Sequence, residues 1–229
     1  MAPRHAFTAA LLLAAALAAG CAAIGPARMA LPAPLAAAPA QTIDGIGSAR
    51  RGAFSFDGRP VQFERGADRL SLFGVLSADK TMLTLRLGGD APAALRCDGR
   101  ALQARLAIVD APLRPYGLRC QVDGSLPGTI ELAERRAVAG TLAGRSGQVR
   151  LAGVLLDIHS VHQLQGSAFE LAQPAGYLLV HDGAPVAALD LSAGTPRWHE
   201  VLAVDDPRRQ AARLAGLVLA LVWDPAAMR

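Results

Sequence analysis

The chain has 229 residues, of which 52% are hydrophobic but only 4% aromatic, and its 23 basic and 19 acidic residues give a formal net charge of +4. A nucleic-acid-binding surface is expected to show basic runs with interleaved aromatic residues, and the sequence contains no such run, so we expect no nucleic-acid partner. The length and apolar content suit one domain or two small ones, with a core made mainly of Leu, Val and Ala.

The N-terminus has the pattern of a removable signal peptide over residues 1–20. Arg4 and His5 precede an apolar run, Ala9 to Ala19, that is shorter than the roughly 20 residues of a membrane-spanning helix. The run ends in Leu17-Ala18-Ala19-Gly20-Cys21, which resembles the lipobox of bacterial lipoproteins. The alternative is a secretory signal that is cut at another position, with a cysteine there by chance.

The lipobox resemblance implies both an anchor and a location. Cys21 would become the first residue of the exported protein and carry a diacylglyceryl thioether, and two or three acyl chains such as palmitate would hold it stably in a membrane. In lipoproteins of bacteria with two membranes, an Asp after the lipidated Cys usually retains the protein at the inner membrane, and this chain has Ala22 there. The resemblance therefore implies the outer membrane, with the domain facing the periplasm.

Residues 22–45 are rich in Ala and Pro and carry almost no charge. This composition predicts a semi-rigid spacer of roughly 3 Å per residue where it is extended. We therefore expect a lipidated tether over residues 21–45 and a single β-rich domain over residues 46–229.

The body of the domain shows short runs of alternating apolar and polar residues beside turn signals. Asp-Gly and Gly-Gly pairs favour tight hairpins, where positive φ is needed, and they occur at Asp57-Gly58, Gly88-Gly89, Asp98-Gly99, Asp123-Gly124 and Asp182-Gly183. The pattern favours a mostly β fold, an antiparallel barrel or sandwich of roughly twelve short strands. The predicted strands are Ala53–Phe56, Val61–Glu64, Leu70–Leu76, Met82–Leu87, Leu102–Val109, Gly117–Val122, Thr129–Ala133, Val138–Leu142, Val149–Leu156, Phe169–Ala172, Tyr177–His181 and Val186–Leu191.

Two cysteines remain once Cys21 is acylated. An exported protein enters an oxidising compartment, so Cys97 and Cys120 are expected to form a disulfide. Each follows Leu-Arg near the end of an alternating run, shortly before an Asp-Gly pair. This context predicts a bridge between two strands, and a free reactive pair is the alternative.

The segment from Asp157 to Gln163 is the one place where two histidines and a carboxylate come close together in the sequence. Zinc needs such ligands to converge on one point. On a strand, Asp157 and His159 share a face but His162 falls on the other. These three are candidates for a metal or catalytic site, and the simpler interpretation is a polar strand edge or structural histidines whose hydrogen bonds are satisfied. We therefore assign no catalytic residue, no metal and no cofactor.

Trp198-His199-Glu200 offers an aromatic ring beside two polar side chains. An exposed Trp here would indicate a surface for stacking on a sugar or a peptide. The alternative is that Trp198 fills a core that is poor in aromatic residues.

The C-terminal region predicts a helix over about residues 207–222. Asp206 can cap it with Pro207 at its first position, and Asp224-Pro225 can end it. Residues 211–222 are apolar on every side except at Arg213, and since a surface helix would show a polar face, this helix is predicted to be enclosed. The run is too short to span a membrane, although insertion into one leaflet remains an alternative.

An apolar C-terminal helix after many short strands is similar in layout to the tubby-like architecture, in which a hydrophobic helix threads a twelve-stranded barrel. The resemblance is one of layout, without a shared motif, and it implies a fold and not a function.

These observations predict a non-catalytic envelope lipoprotein whose β-rich domain binds or scaffolds a protein or lipid at the membrane surface. One alternative is a barrel that binds a lipid or another apolar ligand, which requires a continuous apolar cavity. The other alternative is a metal-assisted hydrolase centred on Asp157, His159 and His162.

Overall fold

The computed structural model describes residues 26–73, 75–106, 109–135 and 144–223, with the backbone alone at 105–106 and 109–112. Several predicted features lie outside the described residues: the signal peptide, Cys21, the strand Val138–Leu142 and the helix stop at Asp224-Pro225.

Twelve strands form one antiparallel sheet, in which each strand from β2 to β11 pairs with the next along the chain and β12 also pairs with β1. A short helix, α1 (Ala33–Ala37), precedes β1, and a long helix, α2 (Pro207–Leu221), follows β12. The predicted fold class, mostly β with one C-terminal apolar helix, is confirmed. The strands are β1 Gln41–Thr42, β2 Arg51–Phe56, β3 Arg59–Leu72, β4 Leu76–Leu87, β5 Ala93–Leu106, β6 Val109–Gly124, β7 Gly128–Glu134, β8 Arg145–Leu151, β9 Val154–Val161, β10 Gly176–His181, β11 Ala184–Asp190 and β12 Arg197–Glu200.

Helix α2 lies inside the curved sheet. The Asp206 side chain caps it by accepting a hydrogen bond from the Arg208 backbone N–H at 2.8 Å, with Pro207 at the first position. The helix contacts strands far apart in the sheet, namely β4, β8, β9 and β11, and Leu214, Leu217 and Val218 are at most 1% exposed. The enclosed helix is therefore confirmed, and it fills the interior that the apolar-ligand alternative needs to be empty.

Three of the predicted strands are wrong, because each spans the end of one strand and the start of the next. Leu70–Leu76 contains the turn between β3 and β4, Val149–Leu156 contains the turn between β8 and β9, and Leu102–Val109 joins the end of β5 to the start of β6. The turns carry Phe73 and Ala152 at positive φ, +52° and +48°. Neither residue type signals a turn, because a positive φ is normally occupied by Gly, Asn or Asp.

Two further local predictions are wrong. Residues 169–172 form no strand, since their region contributes only an isolated bridge between Gln163 and Glu170. Asp98-Gly99 lies inside β5 and not at a turn. The Tyr116 ring explains the glycine, because a Cβ at Gly99 would lie 2.8 Å from the Tyr116 hydroxyl oxygen.

The described part of the predicted spacer is packed onto the domain. Met29, Leu35 and Ile43 are each at most 1% exposed, and Gln41 and Thr42 pair with β12. The spacer prediction is therefore wrong for this segment, because its few large apolar side chains are buried in the two cores of the domain. The domain boundary moves from residue 46 to about residue 27.

The predicted disulfide is present. Cys97 and Cys120 lie directly opposite each other on β5 and β6 and are bonded, with both side chains in the core. Cys97 stands in the middle of its strand and not near its end.

The strands end on two opposite sides of the sheet, and the connections on these sides differ. We call the two sides the turn edge and the loop edge. At the turn edge, the connections are residues 57–58, 88–92, 125–127, 152–153 and 182–183. At the loop edge, they are residues 43–50, 73–75, 107–108, 135–144, 162–175 and 191–196. Because consecutive strands are antiparallel, all connections of one set lie at the same edge. Helix α2 follows β12 and so begins at the turn edge.

Candidate functional site

The chain enters the domain at the loop edge, where three polar side chains hold its N-terminal segment. We call Asp190, Ser192 and Arg197 the N-terminal clamp. Asp190 is 1% exposed and accepts hydrogen bonds from the Met29 backbone N–H at 3.3 Å and from Arg197 Nη2 at 2.7 Å. Arg197 Nη2 also donates to the Ala27 carbonyl at 2.8 Å. The clamp therefore fixes the chain at residues 27–29.

The Ser192 hydroxyl completes the clamp. Its oxygen lies 2.6 Å from Asp190 Oδ1 and 3.0 Å from the Ala27 carbonyl, so its one proton can be donated to either acceptor. The Ser192 backbone N–H donates to Asp190 Oδ1 at 2.9 Å. A nearly inaccessible carboxylate thus has partners for both oxygens, which is the condition for keeping a charge buried.

Apolar packing supports the clamp from the outer side of β11. Met29, Leu35, Ala175 and Ala188 form a second core, separate from the one around α2. A Cβ on Gly176 would lie 2.5 Å from Met29 Sδ, so a residue without a side chain is required there. The N-terminal segment is therefore part of the folded domain.

A groove of about 420 Å³ lies beside the clamp, between the N-terminal segment and the β9–β10 connection. His199 lines it and is 9% exposed. Burial lowers the pKa of this imidazole, and the weaker influences of the Ala38 backbone and the Asp190 carboxylate raise it. Its Nδ1 atom has no hydrogen-bond partner among the described residues. Burial therefore favours the neutral form of this imidazole at the wall of the groove.

The three candidate metal ligands are not brought together. Asp157 and His159 lie on the same face of β9, as predicted, and Asp157 Oδ1 accepts a hydrogen bond from Gln148 Nε2 at 3.0 Å while His159 is exposed. His162 lies beyond the strand, with its ring nitrogens 3.1 Å from Ser160 Oγ and 2.9 Å from the Leu171 carbonyl. Within the described part of the chain, no group of three or more His, Cys, Asp or Glu residues could hold a metal ion.

Trp198 belongs to the core and not to a binding surface. It is 1% exposed, and its Nε1–H donates to Glu200 Oε2 at 2.8 Å. Its ring lies against α2 so closely that a Cβ on Gly216 would come within 2.3 Å of it. The core interpretation of Trp198 is therefore confirmed.

Glu200 is the centre of an ion-pair cluster near the turn edge. It accepts hydrogen bonds from Arg209 Nε at 2.7 Å and from Arg213 Nε at 2.9 Å, and Arg213 also pairs with Asp57. The side chains of Glu200, Arg209 and Arg213 are 11–18% exposed. This cluster explains the one charged residue within the apolar body of α2. Sequence reasoning missed it, although two arginines one helical turn apart were a signal.

Exposed apolar side chains mark the loop edge. Leu70, Leu72, Phe73 and Val75, which we call the apolar tip, are 61%, 46%, 99% and 52% exposed. In the β9–β10 connection, Phe169 is 82% exposed. Sequence reasoning missed this surface, because an apolar run reads as a buried strand when no turn signal interrupts it.

No protein-family model, no curated protein and no solved structure matches this chain. Among the described residues, no helix is long and apolar enough to cross a membrane.

Proposed function

We propose that this protein is a lipid-anchored envelope protein whose β domain acts as a non-catalytic binding or scaffolding module held against a membrane surface. Cys21 carries the lipid, and the Ala22 that follows it favours the outer membrane, facing the periplasm. The observation that carries the proposal is the N-terminal clamp, because it sets how far the domain can stand from its anchor.

The distance follows from the chain length between Cys21 and Ala27, the first residue that the clamp holds. Six residues at full extension reach about 20 Å. A free spacer up to residue 45 would reach about 80 Å by the same estimate. The clamped domain is therefore confined to a layer next to the bilayer, with its loop edge toward the lipid.

The polar side chains of the clamp support the proposal, because they hold the chain that leads to the anchor. Asp190, Ser192 and Arg197 are used to fix the chain, and their partners are backbone groups of residues 27–29 and one another. A module that presents a surface at a defined height above a membrane needs such a fixed connection to its anchor.

Lipidation is tested by intact mass measurement of the membrane-extracted protein, with Cys21→Ser as the control. The expected result is cleavage after Gly20 and a mass increase that matches diacylglycerol plus an acyl chain. A mature N-terminus at another residue, or an unmodified Cys21, would contradict the anchor.

The clamp is tested by trypsin digestion of the lipidated protein in vesicles. Arg28 has an exposed side chain, but its backbone is held on both sides, so the native protein should resist release from the membrane. Arg197→Gln removes donors to both Asp190 and Ala27 and should accelerate release, whereas Arg51→Gln, at an exposed pair, should not. Equal release rates for all three proteins would show that the segment is not held.

A further inference from the structure

The apolar tip stands on a hairpin that extends away from the core. Beyond the pair Gly117–Ala133, the described part of β6 pairs only with β5. Strands β3 and β4 continue alongside, to their last pair Leu72–Leu76. Among the described residues, the hairpins β3–β4 and β5–β6 therefore extend at the loop edge beyond their pairing with β2 and β7.

An ion pair joins the two strands of the β3–β4 hairpin three pairs before its last pair. Arg69 Nε donates to Asp79 Oδ1 at 2.6 Å, and the Asp79 side chain is 1% exposed. The adjacent hairpin is bridged at Cys97–Cys120. The tip is thus presented by two supported hairpins.

The turn itself carries an aromatic residue in an unfavourable conformation. Phe73 has φ +52°, a region that bulky residues rarely occupy and that costs of the order of 1 kcal/mol or more. Its side chain is 99% exposed, so packing within the domain does not compensate. Outliers of this kind cluster at functional sites.

The surroundings of the tip indicate what covers it. The N-terminal segment leaves the domain at this same edge, and its six-residue link to Cys21 reaches about 20 Å. Phe169 is exposed at this edge, and so are Arg28, Arg114 and Arg135, with Asp44, Asp68 and Glu170 among the exposed acidic side chains there. Apolar side chains with flanking arginines match the chemistry of a bilayer interface, where apolar groups enter and cations meet phosphate.

We propose that the apolar tip inserts into the bilayer that carries the lipid anchor, with Phe73, Leu72 and Val75 among the lipid headgroups. The inference deepens the proposed function, and for its geometry it rests on the anchor at Cys21. The tip supplies a second contact, which fixes the domain's orientation on the membrane as well as its distance.

The test places a fluorescent probe at each edge. Phe73→Cys at the loop edge and Val204→Cys near the turn edge replace residues that are 99% and 83% exposed, so neither change should disturb folding. The lipidated variants are labelled with a polarity-sensitive dye and placed in vesicles of phosphatidylethanolamine and phosphatidylglycerol. We expect the probe at residue 73 to shift to the blue and to be quenched by brominated acyl chains, while the probe at residue 204 stays in water.

Three outcomes overturn the proposal. The first is an aqueous signal at residue 73 in lipidated, vesicle-bound protein. The second is an equal shift at residues 73 and 204. The third is a shift at residue 73 only after envelope proteins are added, which would assign the tip to a protein partner.

A second assay separates the tip from the anchor. The unlipidated Cys21→Ser protein is mixed with the same vesicles, and its weak partitioning is measured by sedimentation. Phe73→Ser should reduce it about tenfold, by the transfer free energy of one aromatic side chain, and Val204→Ser should not change it. If Cys21 proves unmodified in cells but Phe73→Ser still lowers partitioning, the anchor fails and the tip stands. If Cys21 is lipidated, the probe at residue 73 stays in water and Phe73→Ser has no effect on partitioning, the tip alone fails.

Discussion

The two edges of the sheet are built by different means. The turn edge is closed by tight connections such as Asp57-Gly58 and Asp182-Gly183, each with two successive residues at positive φ, and by the ion pairs of Glu200 with α2. The loop edge combines projecting hairpins, exposed apolar side chains and a clamp between residues more than 160 positions apart in the chain. The turn edge is therefore held by local backbone geometry and ion pairs, whereas the loop edge depends on contacts between residues far apart in the chain.

The interior links the two edges through α2. Its first turns carry Arg209 and Arg213, which reach Glu200, and its last carbonyls face Arg65, whose Nη1 donates to the Leu221 carbonyl at 3.3 Å. Arg65 also lies 4.9 Å from the centre of the Trp223 ring. Charged side chains of the sheet thus hold both ends of an otherwise apolar helix.

Leu217→Asp should have the largest effect, because it removes the support of both edges at once. Leu217 is 1% exposed, and the change combines the loss of a core leucine, about 2–5 kcal/mol, with the burial of an unpaired carboxylate. Since domains are stable by about 5–15 kcal/mol, the cooperative unfolding transition should be lost in circular dichroism melts.

The control for this variant is Val204→Asp, at a position that is 83% exposed. It should melt like the native protein. A Leu217→Asp protein that retains the native transition would contradict the enclosed helix.

The turn edge could be predicted from the sequence, and the loop edge could not. At the turn edge, Asp-Gly and Gly-Gly pairs mark four connections correctly, because the local need for positive φ selects these residues. The cap of α2 at Asp206 was also predictable, because it depends on neighbouring residues alone. The disulfide was predictable because the expected compartment is oxidising. The loop edge could not be predicted in this way: Leu72, Phe73 and Val75 are apolar, and their exposure depends on where the rest of the sheet ends.

The candidate site could not be found from the sequence for a related reason. Asp190 and Arg197 are ordinary surface residue types, and their contact with residues 27–29 depends on the packing of Met29 and Leu35 against β11. Such long-range contacts leave no periodic pattern in the chain. Asp157, His159 and His162 are close together in the sequence, but their side chains do not converge. Asp157 contacts Gln148, whereas His162 lies beyond the end of β9 and contacts Ser160.

Glu200→Gln tests the turn edge alone. It preserves the side-chain shape and leaves Arg209 and Arg213 without their common carboxylate. Breaking a largely buried pair costs about 3–5 kcal/mol, so we expect a loss of about 3 kcal/mol in urea unfolding.

The matched variant is Glu64→Gln, whose partner Arg51 is 77% exposed. A surface pair is worth less than about 1 kcal/mol. Equal losses for the two variants would contradict the distinction between a structural cluster at Glu200 and a solvated pair.

Removing the disulfide tests the hairpin beside the apolar tip. The bridge between Cys97 and Cys120 closes a loop whose ends are 23 residues apart, and the chain-entropy estimate for this length is about 3 kcal/mol. The double variant Cys97→Ala/Cys120→Ala should lose about that amount in urea unfolding and become more sensitive to trypsin at Arg114. Cys21→Ser removes the remaining cysteine and should leave the domain's stability unchanged. Unaltered stability of the double variant would show that β5 and β6 are held by their other contacts.

Acidification should have the smallest effect, and it should act at the loop edge through His199. Burial lowers the pKa of this imidazole below its usual value of 6.5, so the unfolded chain binds a proton more readily than the folded domain. Stability is therefore complete above about pH 6.5 and falls as the pH decreases from there toward the lower folded pKa. Asp190, Arg197 and Arg28 are the charged side chains around the same groove. Thermal unfolding between pH 8 and pH 5 should show a steeper decline for the native protein than for His199→Gln, with the difference between the two proteins constant above pH 7. Parallel curves throughout would mean that the proton on His199 is not linked to the docking of the N-terminal segment, and the loop edge would then be as insensitive to acid as the tight turns opposite it.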